Sequence, residues 1–240
     1  MIDQAIVLAA GFGKRLQPLT HTIPKPLVPI GNTTCLDQTI QRLHRHGVKK
    51  IIVNTHHLAT HIHDHLRSYP DIHHSFEPKV LETGGGIANV LSFFGDQPFF
   101  SINGDVWWWE REMSVLQRLE NSWDADLMDI LLLLVPKTNT IGYNKTGDYH
   151  KDLNHRLQKS ISLEPAPYVY SGIQVLSSAV FKKSNVWPEQ TVFSMTQIFA
   201  EAENRQRLYG IEHDDLWADI GSPEGLEMTR AMVIGNEVLP

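Results

Sequence analysis

The sequence has a single cysteine, Cys35, so no disulfide can form within the chain, and a reducing cytoplasm is the expected compartment. It has no long hydrophobic run: ILLLLV at 130–135 is the longest, far short of the roughly 20 residues that span a bilayer. Positive charge is not in excess, with 21 Lys+Arg against 27 Asp+Glu and a net charge of −6, which argues against a nucleic-acid surface. Asp3 interrupts the N-terminus and no basic leader precedes the first apolar run, so no signal peptide is expected. Repeats and low-complexity tracts are absent as well. What is left is the profile of a globular protein, 42% hydrophobic and 20% charged over 240 residues, enough for one domain with a sizeable core.

Strand-like and helix-like segments alternate through the first half. Residues 4–10, 49–55 and 98–104 read as buried strands; 35–47, 57–69 and 84–95 carry apolar residues at helical spacing, the last opened by three glycines. Repeated β-α units predict an α/β fold with a Rossmann-like, mainly parallel mixed sheet and helices on both faces. After residue 136 the pattern shifts to turn residues and short strand-like pieces at 157–163 and 168–176, a small antiparallel extension. Helices are expected at about 194–204 and 223–234, with Ser222 as N-cap and Pro223 at the first helical position.

The first strand runs into VLAAGFGKRLQPLTHTIPKPLVPIG (7–31), two glycines followed by Lys14, Arg15 and Lys25 among four prolines. Glycines let a ligand approach the backbone, exposed N–H groups make a positive nest, and proline stiffens the loop. These traits together predict a receptor for a polyanion. The dinucleotide fingerprint is excluded because Leu16 stands where its third glycine belongs, and the P-loop pattern is not met. Two aspartates follow apolar segments: Asp105 in FFSINGDVWWWE (99–110) and Asp219 in LWADIGSPEG (216–225). Two carboxylates at strand ends beside a polyanion-binding loop suit Mg²⁺, a hard cation that grips phosphate oxygens.

LAAGFGKRLQPLT…PKPLVPI resembles the signature of sugar-1-phosphate nucleotidyltransferases, enzymes that make nucleotide-sugars. The resemblance implies that the glycine turn and the arginine hold the nucleoside triphosphate and that the PKP lysine contacts its phosphates. Those roles fall on Ala9, Ala10, Gly11, Gly13, Arg15 and Lys25; Asp105 and Asp219 match the two Mg²⁺ aspartates, with Arg15, Lys25 and Asp105 as the catalytic set. ETGGGI (82–87), NGDVW (103–107) and YSGI (170–173) resemble the branch that makes UDP-sugars from UTP and N-acetylmuramate α-1-phosphate in bacterial cell-wall recycling. That implies Glu82, Thr83 and Gly84 near base and ribose, Asn103 near the nucleotide, and Asp148, Glu164, Ser171 and Gly172 near the sugar phosphate. On this basis residues up to about 135 form the nucleotide-binding half, about 136–220 the sugar-phosphate part, and 221–240 a C-terminal helix. The expected partners are UTP and a sugar 1-phosphate, with no nucleic acid and no membrane, in a monomer or homodimer.

Departures from the family pattern leave alternatives open. SLEPAP (162–167) lacks the lysine many relatives place before proline, and WWW (107–109) replaces residues that are often polar. A mannose- or glucose-1-phosphate nucleotidyltransferase using GTP or another triphosphate, or an inactive nucleotide-sugar-binding subunit, would share the signature loop. His57, His61 and His65 have a spacing that can bind Zn²⁺, but they read as a solvated helix face. The tryptophans read as core or subunit contacts with at most one or two serving a sugar. Lys151, Arg156 and Lys159 are the candidate cations for the sugar's carboxylate.

Overall fold

A computed structural model describes residues 1–161, 165–188 and 191–237; Glu164, expected near the sugar phosphate, lies outside the described residues. In chain order the elements of the first half are β1 (Gln4–Leu8), β2 (Pro29–Ile30), β3 (Thr33–Thr34), α1 (Cys35–His46), β4 (Lys50–Thr55), α2 (Ala59–Leu66), β5 (Ile72–Phe76), α3 (Glu82–Ala88), β6 (Phe99–Asn103), β7 (Val106–Trp108) and α4 (Val115–Ser122). They continue as β8 (Ile130–Pro136), β9 (Thr140–Ile141), β10 (Tyr149–Lys151), β11 (Leu157–Lys159), β12 (Tyr168–Leu176), α5 (Ala179–Lys182), α6 (Met195–Asn204), β13 (Leu208–Glu212), β14 (Trp217–Asp219) and α7 (Pro223–Glu237).

The main sheet runs β5-β4-β1-β6-β12-β8-β13, and every neighbouring pair is parallel except the two made by β12. The inner parallel strands β1, β4 and β6 are largely apolar and buried because both faces are covered. In β8, Leu131, Leu133 and Val135 enter the core on one side while Ile130, Leu132 and Leu134 enter the core on the other. β10 and β11 extend antiparallel from the start of β12. A second, three-stranded sheet joins β7, β14 and β9. It buries Trp107 in a third cluster with Val28, Ile30 and Leu226. The α/β fold and its antiparallel extension are therefore present as expected.

Two local expectations need correcting, and the reading of the tryptophans as core holds. The helix after residue 81 begins at Glu82 and ends at Ala88, and 91–93 form a separate 3-10 turn. Its glycines lie inside the helix: a Cβ on Gly84 would meet Phe193 at 2.5 Å and one on Gly85 would meet the Thr191 carbonyl oxygen at 2.3 Å. Close packing against the segment that leads into α6, not a terminal nest, is what requires them. The histidines do not share one solvated face. His57 precedes α2 and its Nε2 bonds the Thr20 carbonyl at 2.9 Å, while His65 Nε2 bonds Asp37 Oδ1 at 2.7 Å. The tryptophans are mostly core: Trp108 is fully buried, donates to Glu110 Oε1 at 3.0 Å and carries the Arg42 guanidinium 4.2 Å above its ring.

Gly85→Ala forces a methyl against a backbone carbonyl and should cost about 1–3 kcal/mol, a Tm loss of roughly 2–10 °C for a chain of this size. Thermal melts of Gly85→Ala and wild type check this, and equal Tm values would show that the helix can shift to make room.

Candidate active site

Strand register assembles the site. Leu8, the last residue of β1, is level with Asn54 of β4 on one side and Asn103 of β6 on the other. All three strands run the same way, so both amides stand at the carboxyl edge, where ligands of open parallel sheets gather. The loop leaving β1 folds back across that edge in three short 3-10 turns. Gly13 allows the first of them. Its φ is +61°, a Cβ there would meet Thr20 Cγ2 at 2.9 Å, and its carbonyl accepts from Leu16 N and Thr20 Oγ1. Gly11 differs: its φ is not positive and a Cβ would meet nothing within 4 Å. The fold therefore gives no steric reason for glycine at 11.

Between loop and sheet edge lies a cavity of about 380 Å³, a size suited to a small-molecule ligand. Ala9, Ala10, Gly11, Gly13, Arg15, Lys25, Glu82, Thr83, Asn103 and Asp105 line it, as does Gly221 beside Asp219. Of the nucleotide residues expected from the sequence, only Gly84 is off the lining, being packed under Phe193. Lys14, expected as one of the loop cations, lines it too, and Asn54 and Val80 line it without having been singled out.

Each aspartate meets a loop cation. Lys25 is largely buried and its Nζ bonds Asp105 Oδ2. Asp219 pairs with Val106, the residue after Asp105, across β14 and β7, which brings the two acids to the same edge. Gly221 N donates to Asp219 Oδ1 at 2.8 Å, and Arg15 Nη1 lies 3.5 Å from Asp219 Oδ2. A Cβ on Gly221 would sit 2.2 Å from Arg15 Nη2, so the guanidinium runs against bare backbone. Arg15 is more than half exposed, so its pairing is weak and easily exchanged.

A buried chain fixes the cavity's floor. Asn54 Oδ1 accepts from Ala9 N at 2.8 Å, Asn54 Nδ2 donates to Glu77 Oε1 at 2.6 Å, and Glu77 Oε2 accepts from Leu81 N at 3.1 Å. Burial pushes the Glu77 carboxyl above its ordinary range, against the opposing pull of these bonds. A Cβ on Gly86 would reach 2.7 Å from Asn54 Nδ2, so the third glycine of GGG makes room for this network. One signal was readable: Asn54 is the polar interruption at the end of an otherwise apolar strand.

The sugar-side residues are placed differently. Asp148 and Ser171 are off the cavity lining. Asp148 Oδ2 accepts from Tyr170 N at 2.9 Å and burial raises its carboxyl; Ser171 is fully buried and its carbonyl accepts from Trp217 Nε1 at 2.9 Å. Gly172, at φ +84°, bends β12 where its register shifts, and a Cβ there would stand 2.8 Å from Asn103 Nδ2. It acts by letting Asn103 stand close. Two of the candidate cations are already engaged: Lys151 Nζ bonds Glu212 Oε1 at 2.7 Å and Arg156 Nε bonds Tyr209 OH at 3.2 Å. Lys159 is exposed.

Asn54→Asp would set a second carboxyl against Glu77, so one of the pair must hold a proton in the folded state. Folded pKa values raised in this way give stability that is present below about pH 4 and lost as pH rises through the raised values. Melts from about pH 4 to pH 8 should show the variant falling progressively below wild type; parallel curves would contradict the network.

The comparisons agree on the family and the fold. The family model for nucleotidyl transferases matches residues 4–233. The N-acetylmuramate alpha-1-phosphate uridylyltransferase of Caulobacter vibrioides is 31% identical over 227 residues, covering 92% of both chains. Its Neisseria meningitidis counterpart is 27% identical, covering 95% of this chain and 97% of that one. A D-glycero-alpha-D-manno-heptose 1-phosphate guanylyltransferase of Campylobacter jejuni is 26% identical over 92% of this chain and 96% of its own. Among solved structures, HddC from Yersinia pseudotuberculosis complexed with GMP-PN superposes with a TM-score of 0.76 at 22% identity, covering 97% of this chain and all of that one. With a signature loop, a lined cavity and a family match over nearly its whole length, the chain belongs to the nucleotidyl transferase family, among the sugar-1-phosphate nucleotidyltransferases.

Proposed function

We propose that the protein transfers the uridylyl group of UTP to N-acetylmuramate α-1-phosphate, giving a UDP-sugar and pyrophosphate in the cytoplasm as part of cell-wall recycling. The observation that carries this reading is the cavity in which Arg15, Lys25 and Asp105 converge, within a chain 31% identical to a uridylyltransferase of that name. An oxygen of the sugar 1-phosphate attacks the α-phosphorus of UTP. The bond from that phosphorus to the bridging oxygen breaks, and pyrophosphate leaves. The nucleophile is already an anion, so no general base is required. Rate comes from holding two polyanions in line and from charge placed where negative charge builds up.

Lys25 is a compact charge near the cavity floor, suited to the phosphates nearest the reacting phosphorus. Arg15 is the exposed, planar donor, suited to two oxygens of the leaving pyrophosphate. Asp105 and Asp219 fit Mg²⁺, which takes one or two protein carboxylates and completes its shell with water and substrate phosphates. Any ion there would share its coordination shell with the phosphates of the nucleotide. When bound, it supplies positive charge to the phosphate oxygens.

The test is a competition between N-acetylmuramate α-1-phosphate and N-acetylglucosamine 1-phosphate at equal concentration with UTP, read as pyrophosphate release. Preference for the carboxylate-bearing sugar, abolished by EDTA and restored by Mg²⁺, is the expected result. Preference for the neutral sugar, for GTP with mannose 1-phosphate, or full turnover without divalent metal would contradict it.

A further inference from the structure

The loop after β1 turns its backbone to the cavity and one large side chain away from it. Gly11 and Gly13 line the cavity, whereas Phe12 between them does not. The Phe12 ring lies instead 5.5 Å from that of His56 and 5.4 Å from that of His57, with Lys14 Nζ 5.5 Å from its centroid. Both histidines belong to the turn between β4 and α2, and neither lines the cavity. Phe12 is 40% exposed, too open for these contacts to be core packing.

A second link runs from the loop to the same turn. His57 Nε2 lies 2.9 Å from the Thr20 carbonyl oxygen. A carbonyl only accepts, so the imidazole carries its proton on Nε2. Thr20 is fully buried, and its Oγ1 donates to the Gly13 carbonyl, the oxygen that also accepts from Leu16 N. The chain His57–Thr20–Gly13 therefore ends on the left-handed residue that starts the loop's first turn. His56 is itself anchored, its Nδ1 2.8 Å from the Glu77 carbonyl oxygen. Leu58, directly after the pair, has φ +51°, a left-handed conformation disfavoured for a residue with a Cβ. Strain kept beside a ligand loop points to a use for the geometry it sets.

Resting on the reading of this cavity as the triphosphate site, we propose that His57 and Phe12 form a clamp that positions the glycine turn for phosphate. A loop with glycine at 11 and 13 has wide backbone freedom, and ordering it at the moment of binding would weaken affinity. The His57–Thr20–Gly13 bonds and the seat of the Phe12 ring set its shape beforehand. Its N–H groups then meet phosphate already arranged. Because neither residue lines the cavity, both act through the loop and are positioning residues. Their contribution lies in holding the triphosphate, not in the transfer step, and it does not depend on the base.

Calorimetric titration of wild type, His57→Ala, His57→Gln and Phe12→Ala with UTP and GTP tests this, together with melts and steady-state pyrophosphate release for each variant. His57→Ala should bind triphosphate about 3- to 10-fold more weakly, the scale of one lost neutral hydrogen bond, and Phe12→Ala should weaken it comparably. His57→Gln, whose amide can donate to the same carbonyl, should stay within about twofold of wild type. KM for the triphosphate should rise with kcat unchanged, and any triphosphate that wild type binds should weaken by the same factor. Unchanged affinity in both His57→Ala and Phe12→Ala would overturn the clamp. So would a loss that His57→Gln does not recover, or a loss of kcat in place of affinity. Should His57→Ala fail to fold, unchanged affinity in Phe12→Ala or a loss in His57→Gln overturns it equally. Wild type binding GTP and not UTP would overturn the uridylyl reading, and the clamp would stand or fall by the same shifts measured with GTP. Wild type binding neither would overturn both.

Discussion

Two cation–carboxylate pairs, Lys25 with Asp105 and Arg15 with Asp219, hold the N-terminal loop across the edge of the sheet. They are unequal. Lys25 is buried, so removing Asp105 would strand a charge away from water and cost far more than the pair itself contributes. Arg15 is exposed and its partner is half-satisfied by Gly221 N, so that pair contributes little to stability. One pair fixes the loop and the other leaves its cation available. A triphosphate would compete for both cations, releasing two acids at the place where a divalent ion and a second phosphate would be needed.

The rest of the fold serves to bring these four residues to one edge. β1 lies between β4 and β6, so its loop, Asn54 and Asn103 emerge together. After β13 joins the main sheet beside β8, the chain passes to the second sheet, where β14 lies on β7 and sets Asp219 next to the strand that follows Asp105. A contact spanning more than a hundred residues of chain is thus made by two three-residue strands. The aromatic cost of that small sheet is met locally, since Trp107, Trp108 and Trp217 are buried in its flanks.

Much of this was readable in the sequence because its signals are local. A continuous apolar run marks a strand buried on both faces, and the loop of glycine, cation and proline after β1 announces an anion site. Six residues predicted there, Ala9, Ala10, Gly11, Gly13, Arg15 and Lys25, do line the cavity. What was not readable depends on distant neighbours. GGG looks like a helix opening until Phe193 and Thr191, more than a hundred residues later, are seen to press on it. Asn54 and Glu77 belong to separate strand ends and meet only through the parallel register of β4 and β5. Lys151 and Arg156 look like free cations until Glu212 and Tyr209 of β13 take them up. His57 and His65 keep helical spacing on paper, but one is drawn to the loop and the other to α1.

A crystal structure with a non-hydrolysable UTP analogue and Mg²⁺ tests directly the exchange of partners proposed for Lys25 and Arg15. Lys25 Nζ and Arg15 should lie on phosphate oxygens, with Asp105 and Asp219 turned to the metal and the uracil beside Glu82. A triphosphate bound elsewhere, or both cation–carboxylate pairs intact with the nucleotide in place, would contradict the site described.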